Sequence, residues 1–85
     1  MALKYITVLA TDSGGAPEYY AEVTLYRRGI DSGSFPPQHT DREGRCTFSL
    51  DLGDFDKVSA VARTGGRRGE TDWDYPRATL HVIVE

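Results

Sequence analysis

The chain is predicted to be a small all-β domain, an antiparallel sandwich of about seven strands. Three observations carry this. Apolar residues recur with period two in five stretches, turn-forming clusters separate those stretches, and no window shows the 3.6-residue period of a helix.

The first stretch, Lys4 to Ala10, puts Ile6, Val8 and Ala10 on one face and Tyr5, Thr7 and Leu9 on the other. Ala21 to Arg27 turns Ala21, Val23 and Leu25 inward, and Glu22, Thr24 and Tyr26 outward. Arg45 to Asp51 buries Cys46, Phe48 and Leu50, and Lys57 to Arg63 aligns Val58, Ala60 and Ala62. The last, Ala78 to Glu85, aligns Leu80, Val82 and Val84 opposite Thr79, His81, Ile83 and Glu85. Shorter strands are expected near Pro37–Thr40 and Glu70–Trp73.

The intervening clusters are Asp12–Pro17, Gly29–Gly33, Asp41–Gly44, Asp51–Asp54 and Thr64–Gly69. In each, Gly supplies positive φ, Pro fixes its own φ, or Asp bonds the nearby backbone. With 85 residues and no linker, the chain makes one domain, 1–85, with little room for a catalytic cleft beside its core. A net charge of −3 lacks the basic excess that tracks phosphates, so nucleic acid is not expected as a partner. No apolar run is long enough for a membrane span or a signal peptide, which predicts cytoplasmic synthesis, with release only by assembly or lysis. The single cysteine, Cys46, excludes an intramolecular disulfide.

Certain spacings match a known pattern. Ile6-x-Val8-x-Ala10-x-Asp12-x-x-Gly15-x-Pro17, then Ala21-x-Val23-x-Leu25, then Thr40-Asp41-x-x-Gly44-x-Cys46-x-Phe48-x-Leu50 resembles the carboxypeptidase regulatory-like family. The likeness continues loosely through Phe55 and Val58 to Ala62. That family belongs to the transthyretin-like group, so the resemblance implies a Greek-key, Ig-like sandwich. Its motif is structural: Asp and Gly make a tight turn between antiparallel strands. It implies a scaffold and no chemistry. Members are commonly accessory modules, and one standing by itself is expected to act through a protein partner or by self-assembly, as a virion or appendage component does.

The segment Thr64–Arg77 is the most unusual in composition, gathering the only Trp, a Tyr, three Arg and three acidic residues. Trp, Tyr and Arg are enriched at binding hot spots, so Arg67, Arg68, Trp73, Tyr75 and Arg77 form the candidate partner-binding site. The competing reading makes Trp73 a cap on one end of the core. Outward Tyr5 and Tyr26, with Tyr19 and Tyr20, suggest either an exposed aromatic row that serves as an interface or, the favoured reading, cross-strand pairing of aromatics on an exposed sheet face. With Trp73 and Tyr75, these make a carbohydrate-stacking platform the alternative function.

No cofactor and no metal site is expected. Asp51, Asp54 and Asp56 around Gly53 fit no calcium-loop spacing, and His39, His81 and Cys46 are read as structural. The group's hydrolase of 5-hydroxyisourate ends in Tyr-Arg-Gly-Ser, whereas this chain ends His81-Val-Ile-Val-Glu85, so no enzyme activity is expected. A self-formed isopeptide from Lys4 lacks an Asn or Asp acceptor on the last strand. The alternating strand Leu80–Val84 is a candidate sheet edge for strand addition.

Overall fold

Every residue assigned inward by the period-two pattern is buried in the computed structural model. The structure describes residues 2–29, 32–53 and 56–85, and no helix occurs among them. Its strands are β1 (Ala2–Thr11), β2 (Glu22–Arg28), β3 (Gly33–Ser34), β4 (Gln38–His39), β5 (Arg45–Leu52), β6 (Lys57–Thr64), β7 (Arg67–Glu70) and β8 (Thr79–Ile83). They form two sheets. One has the order β5-β1-β8; in the other β2 lies between β6 and the short β3 and β4, and β7 follows β6.

The core lies between the sheets. Ile6, Val8, Phe48, Leu50, Leu80 and Val82 from the first sheet face Val23, Leu25, Val58, Ala60 and Ala62 from the second. Burying a side chain such as Phe48 or Leu25 contributes roughly 1.5–3 kcal/mol, so this layer holds the fold without a disulfide.

The structure corrects the expected architecture in three respects. The pairing is not wholly antiparallel, because β8 runs parallel to β1, with Val8 opposite Leu80 and Ala10 opposite Val82. A parallel neighbour needs a crossover, and here the chain makes it in two excursions, through β2–β4 and back to β5, then through β6 and β7 to β8. Among the described residues eight strands stand where about seven were expected, and β3 and β4 are only two residues long. The Gly-rich turn is also shorter than Thr64–Gly69: Gly65 and Gly66 take positive φ, and β7 begins at Arg67 against β6.

One side of the sandwich is closed by backbone. The Arg68 N–H donates to the Glu85 carbonyl (3.3 Å) and the Glu85 N–H to the Arg68 carbonyl (3.1 Å), joining β7 to the residues after β8. This approach requires glycine, since a Cβ at Gly69 would sit 2.0 Å from the Ile83 carbonyl oxygen.

Two turns share one design. The carboxylate of Asp12 accepts the N–H groups of Gly14 and Ala16, and that of Asp41 accepts those of Glu43 and Arg45, each at 2.9–3.0 Å. Gly15 and Gly44 follow three residues after their Asp, both with positive φ. The second turn does not join neighbours within one sheet, as the Thr40-Asp41-x-x-Gly44 motif suggested. It carries the chain from β4 across to β5 in the other sheet. Buried Thr40 fixes its start, accepting the Ala21 N–H (2.9 Å) and donating to the Glu18 carbonyl (2.6 Å).

Candidate functional site

The residues of the candidate site, contiguous in sequence, are spread over the molecule. Arg67 leaves β7 toward Glu18 and makes an ion pair at 2.7 Å. Arg68 reaches Glu70 at 3.4 Å, and Arg77 pairs with Asp74. Only Trp73 and Tyr75 are brought to one surface. Both are exposed, at 38% and 52%, so Trp73 does not cap the core.

A bulge explains where Trp73 points. Along β7 the register sets Glu70 opposite Val61, but farther on Asp74 bridges Val58, so the edge segment holds one residue more than β6. Thr71 occupies the step. Its N–H donates to the Ala60 carbonyl (2.9 Å), its Oγ1 accepts the Ala60 N–H (2.9 Å), and its carbonyl accepts the Ser59 hydroxyl (2.8 Å). Continued without the bulge, the β7 register would set Trp73 opposite inward-facing Val58; one extra residue turns it to the outer face.

On that face the aromatic rings meet cations from neighbouring strands. The Arg28 guanidinium lies 4.7 Å from the Trp73 ring centre, and the Lys57 ammonium 5.1 Å from that of Tyr75. Arg28 and Lys57 are register partners on β2 and β6, which sets the two cation–ring pairs side by side. A cleft of about 360 Å³ adjoins them, lined by Tyr26, Arg27, Arg28, Ser32, Gly33, Ser34 and Trp73. Neither Arg28 nor Lys57 enters an ion pair among the described residues. Asp74, between Trp73 and Tyr75 in sequence, is held below the usual carboxylate range by the Tyr75 N–H and by Arg77.

Sequence reasoning singled out Trp73, Tyr75 and the outward Tyr26, but not Arg28 and Lys57 beside them. The missing signal was cross-strand register, which no local pattern in the chain encodes. The row of tyrosines does not assemble. Tyr5 lies on the outer face of the first sheet and Tyr26 on that of the second. Tyr19 and Tyr20 sit in the loop before β2, where Tyr20 stacks on His39 at 4.1 Å.

The remaining titratable groups do not converge. Burial, with Asp41 adding to it, pushes the Cys46 thiol up to about 11, which keeps it protonated and unreactive at neutral pH. His81 shares a 2.7 Å hydrogen bond with Thr11 on the outer face of the first sheet. Asp51 is exposed, whereas Asp56 is buried and accepts the Gly53 N–H at 2.8 Å; Asp54 and Phe55 lie outside the described residues. Among the described residues no three His, Cys, Asp or Glu side chains gather as metal ligands, and no helix is long and apolar enough to cross a membrane. No protein-family model matches the chain, and no curated protein does so either.

Proposed function

We propose that this chain is a non-catalytic interaction module that docks a protein partner of acidic character on the outer face of its larger sheet, as one component of a larger assembly. The observation that carries this reading is the Thr71 bulge, which turns Trp73 out of the core and onto Arg28 beside a cleft. An exposed Trp flanked by Arg and Tyr is the composition of an energetic anchor. Arg28 and Lys57, which enter no ion pair among the described residues, supply the steering charge for carboxylates. The Greek-key, transthyretin-like kinship suggested by the two Asp-x-x-Gly turns belongs to the same proposal, since modules of that kind act through what they are attached to.

Carbohydrate stacking is the second reading. It is less well served, because each ring already carries a cation over one face. The test is affinity capture from the native source with the wild type and a Trp73→Ala/Tyr75→Ala variant, beside retention on polysaccharide beads. One acidic protein retained by the wild type and lost from the variant is the expected result. Equal retention by both would place the site elsewhere, and retention on polysaccharide alone would favour the second reading.

A further inference from the structure

A second surface lies on the opposite sheet and stands independently of the Trp73 face. Among the described residues strand β5 pairs only with β1, which leaves one of its edges open. The Ala10 N–H donates to the Gly44 carbonyl, which turns the even-numbered positions of β5 toward β1 and leaves the odd-numbered backbone groups pointing away. At the ends these groups are engaged: Arg45 exchanges bonds with Asp41, and the Asp51 carbonyl accepts Arg27 at 3.4 Å. Thr47 and Ser49, between them, have N–H and C=O groups that face no other strand among the described residues.

Natural edges are usually blunted by Lys, Pro or a bulge. The other sheet follows that rule on this side, where Pro36 and Pro37 separate the two-residue strands β3 and β4. Strand β5 is eight residues long and contains neither Lys nor Pro. Its register with β1 runs unbroken from Ala2–Leu52 to Leu9–Arg45, so it has no bulge.

Its exposed side chains are self-complementary. In order they are Arg45, Thr47, Ser49 and Asp51, a cation at one end, hydroxyls between, and an anion at the other. We propose that two copies of this chain pair β5 antiparallel about Phe48, joining their three-stranded sheets into one continuous sheet of six. In that register Arg45 faces Asp51 of the other copy at both ends, and Thr47 faces Ser49 of the other copy, with their free backbone groups in bonding phase. A two-residue slip one way sets Glu43 against Asp51 of the other copy, and a slip the other way sets Asp51 against Thr47, so charge selects the Phe48-centred pairing. Neither Arg45 nor Asp51 enters an ion pair among the described residues, so both are available.

Sedimentation across a concentration series tests this by charge exchange. The wild type is expected to approach twice its 9.4 kDa mass as concentration rises. Arg45→Asp alone and Asp51→Arg alone each set like charges opposite one another and should weaken association by roughly tenfold or more. An equal mixture of the two single variants, and the Arg45→Asp/Asp51→Arg double variant, should both recover dimer. Trp73→Ala should leave it unchanged. A wild type that stays monomeric to about 1 mM, a double variant that fails to recover, or a dimer lost with Trp73→Ala would each overturn the proposal.

Discussion

The two sides of the sandwich are finished by opposite means. On one, β7 and the residues after β8 exchange backbone hydrogen bonds through Arg68 and Glu85, and the sheets meet closely enough that only glycine fits at position 69. On the other, β5 and the interrupted β3 and β4 leave a gap bridged by side chains. Arg27 reaches the Asp51 carbonyl while its guanidinium lies over Phe35 at 5.6 Å, and Thr40 ties the loop before β2 to the end of β4. On the first side β8 ends its sheet, as the sequence led one to expect, but the Arg68–Glu85 pair ties the chain just beyond it to β7. The side closed by side chains keeps the open edge of β5.

The largest effect should come from breaking the closed side. Gly69→Val drives a side chain into the Ile83 carbonyl and is expected to cost about 3 kcal/mol, on the order of 15 °C in Tm by thermal denaturation. A near-native Tm would mean that the closure is slack. Next is Thr40→Val on the open side, which strands the Ala21 N–H and the Glu18 carbonyl and should cost about 2 kcal/mol; Thr40→Ser should recover most of it. If serine fails to rescue, the methyl group and not the hydroxyl is what matters there.

A smaller loss, about 1 kcal/mol, is expected for Thr71→Val, which removes the side-chain bond to the Ala60 N–H. Trp73 is the only Trp, so its emission should shift to the blue if the bulge relaxes and the ring turns inward. Unchanged emission would show that something other than Thr71 holds the register. The smallest effect at neutral pH concerns Cys46 on β5. Its folded pKa lies above its ordinary 9.0, at about 11, so the unfolded chain loses that proton first as pH rises. The stability of the wild type should therefore decline from about pH 9 to about 11 relative to Cys46→Ala, with no difference in slope below that window. Parallel slopes throughout would mean that the thiol ionises as readily in the folded protein as in the unfolded one.

These experiments bear on what the sequence could and could not disclose. Alternation identified the long strands and their inward faces, because burying every second side chain is a local requirement on each segment. It could not identify β7, whose Arg67-Arg-Gly-Glu70 has no apolar residue to alternate and is held by its ladder to β6. Nor could it foresee that β8 lies parallel to β1, a fact of chain path and not of segment. The site was half legible. Trp73 and Tyr75 stood out by type, but the bulge that aims Trp73 depends on a threonine side chain replacing a backbone partner. Arg28 and Lys57 belong to strands distant in sequence. Conversely Arg67 and Arg68 are near Trp73 in the chain and far from it in space, because an extended segment covers on the order of 3.3 Å per residue.

The parallel pairing of β1 with β8 also sets an order in time. As the chain folds, β1 can take β5 as a neighbour, but its other edge stays bare until residues 79–83 dock. The second sheet can be complete without β8, so a chain at that point presents one half-finished sheet, exposed on both edges, to everything around it. Contacts this distant in sequence form slowly, and unpaired strand edges are where aggregation begins. The interval before β8 docks on β1 is therefore the period in which this chain is most exposed to misassembly.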